Sequence, residues 1–269
     1  MPARLAPDQS RGYLVPLGAS VRGAGQTGIF RRLFAILGQR PRVTIVVASA
    51  DETLADDLDA RLVADGAAGH VQRIVLTQRA DSEAQAALAA IEHSHLAVLC
   101  AEQPLRLSTL LGGTALARLL RRRNADGMAV GGIGAGASVL PEHMLGGGAQ
   151  GSSPRMGNVS LAPGLGLTNR LLIDQGGAGA DRLGRLLGAL ALNPFVLGIG
   201  LDADTAAFIG PDNVLEVVGV GSVTVVDPTD VGHSNAADAG PSDPISITNL
   251  RVHVLVHGSR YDLDFRRPL

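Results

Sequence analysis

Gly127-Met-Ala-Val-Gly-Gly-Ile-Gly-Ala-Gly-Ala-Ser-Val-Leu140 decides how this chain is built. Met128–Gly131 is short and apolar and reads as a strand. Glycine then alternates with other residues through Gly132, Gly134 and Gly136, and a helix follows at once. A strand that turns into a helix through glycines is how many α/β hydrolases present a nucleophile on a strained tip. Small neighbours allow the helix to start immediately, and its first backbone N–H groups can serve an oxyanion.

The same strand-to-helix rhythm runs upstream. Tyr13–Leu17 reads as a first strand. Gln26–Leu37 carries Ile29, Leu33, Phe34 and Leu37 at helical spacing and stops at Gly38. Val43–Ala48 is apolar apart from Thr44, which suits a strand buried on both faces. Asp51 is an N-cap for the helix Glu52–Asp65. Arg73–Leu76 and Leu96–Cys100 read as strands, Ser82–Glu92 and Leu105–Arg122 as helices. Such alternation implies a parallel sheet covered on both faces.

Downstream the pattern changes. Leu171–Ile173 and Val196–Ile199 are strands flanking a helix, Asp181–Leu192. Ala206–Ile209, Val214–Val218, Ser222–Val226 and Val252–Val256 are short strands between turns, so an antiparallel extension is expected. Asp227–Pro244 is rich in Asp, Gly, Pro, Ser and Asn and reads as an exposed loop. No repeat and no Pro-rich linker divides the chain, so residues 1–269 are read as one domain. The expected fold is a three-layer α/β sandwich with a mostly parallel sheet and short antiparallel C-terminal strands. Its cleft should lie at the carboxyl ends of the parallel strands.

Composition narrows the function classes. The chain has 269 residues, 46% of them apolar, enough for a sizeable core. A formal net charge of -2 and only 3% aromatics, with no Trp, argue against nucleic acid as a partner. No apolar run reaches the roughly 18 residues that a membrane span needs. Met1–Gly12 has no signal-peptide core. The lone Cys100 excludes an internal disulfide and suits a reducing compartment, so a cytoplasmic location is expected.

The glycine turn resembles the nucleophile turn of the cyanophycinase family of serine peptidases and related aspartyl dipeptidases, which runs Gly-Thr-Ser-Ala-Gly-Ala. Gly132, Ala135, Gly136 and Ala137 match it, Ile133 stands for the Thr, and Gly134 for the nucleophile. Ile173-Asp174-Gln175, with Arg182, Arg185 and Leu186, is similar to the family's Asp-Gln-His-Phe run and its trailing arginines. Gly176 falls at the His, Gly177 at the Phe and Ala180 at one Arg. Gly198-Ile-Gly-Leu-Asp-Ala-Asp-Thr-Ala206 is similar to Gly-Ile-Gly-Ile-Asp-Glu-Asp-Thr-Ala, with Ala203 in place of the Glu that supports the His. Leu17-Gly18-Ala19-Ser20, Cys100-Ala101-Glu102-Gln103, Gly164-Leu-Gly-Leu167, Arg251-Val-His-Val-Leu-Val-His-Gly258 and Tyr261-Asp-Leu263 match more loosely. The resemblance spans nearly the whole chain in the family's order. It implies a class I glutamine amidotransferase-like or flavodoxin-like fold.

Serine-peptidase chemistry needs a hydroxyl, a base and an orienting carboxylate. Gly134, Gly176 and Ala203 offer none of them. The expectation is therefore a catalytically inactive homologue: a binding or structural subunit, dimeric with itself or with an active cyanophycinase-type subunit. The alternative is an active hydrolase of cyanophycin or β-aspartyl peptides with a site rebuilt around Glu102, Gln103, His143 or Asp174. By resemblance, Gln103, Asp174, Gln175, Arg182 and Arg185 are the candidate ligand-binding residues, for cyanophycin or a β-aspartyl peptide. No cofactor and no metal are expected.

The remaining candidates have plainer readings. Ser138 lies one turn into the helix, where a hydroxyl bonds back to the backbone. Ser152 and Ser153 read as loop residues, and His143 as a surface or cleft-edge position. His93 and His95 have metal-compatible spacing only on a strand and lack a third ligand. His253 and His257 are expected on one strand face, far apart. Arg121-Arg122-Arg123 reads as a solvated helix end. Cys100 should pack as a small apolar residue.

Overall fold

A computed structural model describes residues 1–3, 10–22, 28–38, 40–48, 52–64, 70–148, 151–175 and 180–269, the first three residues of the last segment by backbone alone. The first half runs β1 (Leu14–Leu17), α1 (Ile29–Leu37), β2 (Arg42–Val47), α2 (Thr53–Ala64), β3 (His70–Val75), a 3-10 turn (Arg79–Glu83) and α3 (Gln85–Glu92). It continues through β4 (Leu96–Ala101), α4 (Pro104–Leu111), α5 (Ala115–Ala125), β5 (Ala129–Gly134) and α6 (Ala135–Ser138). The second half holds β6 (His143–Gly147), β7 (Ser160–Pro163), β8 (Leu171–Asp174), α7 (Ala180–Leu192) and β9 (Leu197–Leu201). It ends with β10 (Thr205–Ile209), β11 (Val214–Gly219), β12 (Val223–Asp227), β13 (Arg251–Leu255), β14 (Arg260–Asp262) and β15 (Arg267–Pro268).

The main sheet has the order β15-β14-β11-β10-β1-β5-β4-β2-β3. From β1 to β3 all pairings are parallel, and from β1 outward through β10 all are antiparallel. The central strands earn their place by sequence: β4 is buried at every position and β2 at every position after Arg42, while the edge strand β3 is only half-buried. Continuous apolar runs of this kind suit strands covered on both faces.

The two faces carry different layers. On one, Ile29, Phe30 and Leu33 of α1 and Ala55, Leu58 and Leu62 of α2 pack on Val15, Val43, Ile45 and Val98. On the other, Leu107, Leu116 and Leu120 of α4 and α5 pack on Val46, Leu99 and Val130. Burying each such side chain contributes about 1.5–3 kcal/mol. Beyond β1 that second face is covered by a separate sheet, ordered β13-β12-β9-β8. Val223, Val225 and Ile199 meet Leu215, Val217 and Tyr261 there. Leu186, Ala189 and Leu190 of α7 close the outside over Leu172 and Val226.

This is the expected α/β sandwich, with some differences. The antiparallel strands widen the main sheet and also build a second one. Leu105–Arg122 is two helices, because Gly113 turns left-handed (φ 74°) and the Thr114 hydroxyl caps α5 by accepting from the Ala117 N–H at 3.3 Å. Ser82–Glu92 is split into the 3-10 turn and α3. The pair β6 and β7 and the short β14 and β15 carry no period that marks them. Asp51 and Gln26 lie outside the described residues. The segment after Asp227 is largely exposed, as expected, though isolated bridges, Arg155 with Pro244 and Ser234 with Ile247, tie it down and Ala236 is buried.

The triple-arginine end of α5 is not simply solvated. Arg121 and Arg123 are half-buried and donate to the Leu165 and Ser94 carbonyls, at 3.1 and 3.3 Å, while Arg122 pairs with Glu92 on the surface. His257 lies past β13 and accepts from the Gly219 N–H at 3.4 Å, so it does not share a strand with His253. His93 caps α3, and His95 accepts from the Arg42 N–H at 2.9 Å.

Candidate active site

Gly134 is the last residue of β5 and the cap of α6, with φ 58° and ψ −132°. Non-glycine residues rarely hold these angles. The turn keeps the bend that would present a nucleophile, although glycine presents none. Its tightness is set next door: a Cβ on Gly136 would come within 1.9 Å of the Leu99 carbonyl oxygen, so α6 lies directly on β4. At Gly134 itself the atoms nearest an added Cβ would be the Ala101 oxygen and Leu54 Cδ2, both at 3.4 Å, and Gln175 Oε1 at 3.9 Å. The turn tip is therefore open to a cleft. The helix after it is a single turn, shorter than the sequence suggests.

The cleft has a volume of about 420 Å³ and lies over the carboxyl ends of β1, β2, β4 and β5. Gly134, Ala135, Cys100 and Ala101 form its floor. Thr53, Leu54 and Asp57 of α2 form one wall, and Ser20, Arg22, Glu102 and Gln175 complete it. Polar groups are few and their states differ. Glu102 is exposed and has no hydrogen-bond or ion-pair partner among the described residues. Ser20 donates to Asp204 Oδ1 at 3.2 Å and accepts from the Arg22 N–H at 3.2 Å. Arg22 Nε donates to Asp57 Oδ2 at 2.8 Å. Hydrogen bonding to Asp57 raises the Arg22 guanidinium pKa. Burial pushes the Cys100 thiol up to about 12, so a thiolate nucleophile is excluded at neutral pH.

The structure separates the expected ligand-binding residues. Gln175 lines the cleft. Asp174 and Arg185 instead pair with each other, Asp174 being buried at the end of β8. A carboxylate and a guanidinium that satisfy one another away from water present little to a ligand. Gln103 caps α4 outside the cleft, donating no side-chain bond there. The Arg182 side chain and Gly176 lie outside what is described. Ala203 sits exposed between β9 and β10 and does not line the cleft.

Of the four residues proposed for a rebuilt site, Glu102 alone reaches the cleft. His143 is exposed at the start of β6. Ser138 is buried at the end of α6, and Ser152 and Ser153 lie on the loop against which α7 packs. Among the described residues no three His, Cys, Asp or Glu group as metal ligands, and no helix is long and apolar enough to cross a membrane. No sequence signal points to Arg22 and Asp57. They lie 35 positions apart, on a loop and a helix that only the β1 and β2 neighbourhood brings together.

No protein-family model matches the chain. A cyanophycinase of Trichormus variabilis is 34% identical over 244 residues, covering 90% of this chain and 82% of that protein. A cyanophycinase of Synechococcus elongatus is 40% identical over 194 residues, covering 72% of this chain and 60% of that protein. Among solved structures, a peptidase from an acI-B1 Actinobacterium superposes with a TM-score of 0.62 over 94% of this chain and 98% of its own, at 16% identity, which bears on the fold. These relatives correct one expectation. The missing Ser, His and Glu suggested a chain that is not an enzyme, whereas identities of 34% and 40% to cyanophycinases point to a peptidase. The structural-subunit reading is set aside on that finding.

Proposed function

The chain belongs to the cyanophycinase family, and from that premise we propose that it is a peptidase of cyanophycin or related β-aspartyl peptides, working through a rebuilt site. One observation carries this reading. The nucleophile turn keeps its bend at Gly134 on the floor of an open cleft, and Glu102, a carboxylate without a partner among the described residues, lines the same cleft. Without a side-chain nucleophile the attacking group is water. Glu102 takes its proton as the oxygen adds to the substrate carbonyl. The Ala135 backbone amide and Gln175 receive the charge that develops on the carbonyl oxygen. The C–N bond then breaks, and the proton held by Glu102 passes to the departing amine.

The test is release of β-aspartyl-arginine from cyanophycin by the purified chain, followed by chromatography. Glu102→Gln, prepared identically, should lower the rate about 100- to 10,000-fold, the usual contribution of a general base. Release no faster than that of the Gln variant would overturn the reading.

A further inference from the structure

Arg22 stands in the cleft wall with its backbone and its Nε already engaged. Its N–H donates to the Ser20 hydroxyl, its carbonyl accepts from Arg61, and Nε donates to Asp57. Among the described residues its two terminal amino groups have no partner. Exposed ion pairs add little to stability, so folding alone does not explain why this guanidinium is fixed at the cleft. A guanidinium held by Nε with its outer fork open suits a planar carboxylate, which it grips through two parallel hydrogen bonds. Glu102 supplies the opposite charge in the same cleft, also without a partner among the described residues. Among the described residues of the cleft, Arg22 is the cation whose outer fork is open and Glu102 the carboxylate without a partner.

From this arrangement we infer that Arg22 is a specificity-determining residue that anchors a carboxylate of the substrate, with Asp57 as the positioning residue that aims its fork. This rests on the substrate class proposed above and names how that class is read. A β-aspartyl-arginine unit carries a free arginine carboxylate for Arg22, which leaves Glu102 to face the scissile carbonyl. Asp57 acts only through Arg22. Its loss frees the guanidinium to swing out of the cleft and leaves the charge of the site more positive.

Calorimetric binding of β-aspartyl-arginine and of the same dipeptide with its arginine carboxylate amidated tests the assignment without turnover. The full chain should bind the acid about 10- to 100-fold more tightly than the amide, as a charge-assisted bidentate contact implies. Arg22→Gln should bring that ratio to about 1. Arg22→Lys should keep a small part of it, because an ammonium lacks the fork. Asp57→Asn should lower the ratio with circular dichroism unchanged. A structural role would weaken acid and amide alike. An unaltered ratio in Arg22→Gln, equal binding of acid and amide by the wild type, or binding of neither overturns the inference. The cyanophycin assay fails or succeeds separately: a chain that hydrolyses nothing yet discriminates through Arg22 sinks the peptidase reading and leaves the anchor standing.

Discussion

Arg185 grips Asp174 through two parallel charge-assisted hydrogen bonds, from Nε to Oδ2 at 2.9 Å and from a terminal nitrogen to Oδ1. The Asp174 side chain is only 3% exposed and that of Arg185 14%, so the pair locks α7 onto the end of β8 in near-complete seclusion from water. Beside it Gln175, the next residue along the chain, turns into the cleft. The pair thus fixes where the chain leaving β8 delivers Gln175 to the cleft.

Removing one partner strands the other charge. Arg185→Ala is expected to destabilise the fold by about 3–5 kcal/mol, the usual cost of leaving a buried carboxylate unpaired. Replacing both, as Asp174→Leu with Arg185→Met, should recover most of that loss. Urea denaturation of the three proteins checks it, and a double variant no better than the single one would refute the assignment of the cost to the stranded charge.

The glycine turn separates strain from collision. Gly134→Ala should lower stability by about 1–3 kcal/mol, since the angles are unfavourable but the nearest contacts, at 3.4 Å, are ordinary. Gly136→Ala drives a Cβ into the Leu99 carbonyl at 1.9 Å and should leave little soluble folded protein. Equal stability of the two variants in thermal denaturation would contradict this account.

How much of this could be read from the chain follows from the period of each signal. The parallel core was legible because β4 is an unbroken apolar run, β2 is broken after Arg42 by Thr44 alone, and both lie between helices of regular spacing. The floor of the site was legible because Gly132, Gly134 and Gly136 have no other purpose in a strand-to-helix junction. The β6 strand was not, since Leu145-Gly-Gly147 looks like a turn and becomes a strand only by pairing with β7. Nor were the cleft walls: Arg22 sits in a glycine-bordered loop and Asp57 among other acids on α2, and neither position shows in a one-dimensional pattern. Asp174 and Arg185 read as ligands because they match the family's Asp-Gln run and its trailing arginines. Eleven residues of separation hid that α7 folds back so that each answers the other.

Cys100 forms part of the cleft floor yet is 2% exposed, with burial holding its thiol pKa up to about 12. A thiol in that state attacks nothing at neutral pH. The native protein at pH 8 should therefore react with a disulfide reagent at least about 100-fold more slowly than the urea-unfolded chain. Cys100→Ser should leave hydrolysis within a few-fold of the wild type. Rapid labelling in the native state, or loss of activity in the Ser variant, would return the cysteine to the list of nucleophiles.

Asp227 gives the fold an acid-sensitive joint. Its carboxylate is fully buried at the end of β12. It accepts from the Thr229 hydroxyl at 2.6 Å, the Thr229 N–H at 3.0 Å and Arg266 at 2.9 Å. Burial alone would raise its pKa, but the Thr229 and Arg266 bonds outweigh it, and the net value falls below the ordinary one. A carboxyl whose folded pKa is depressed stabilises the fold while ionised. That contribution is complete above the unfolded carboxylate value of about 4 and is lost as pH falls through the lower, folded one. Asp227→Asn keeps the shape without the charge. It should cost about 1–3 kcal/mol at pH 7, and the gap between the two proteins should narrow steadily from about pH 5 toward pH 2. Denaturant titrations at stepped pH measure that gap. A gap that stays constant across the window would mean that Asp227 holds the joint by shape alone.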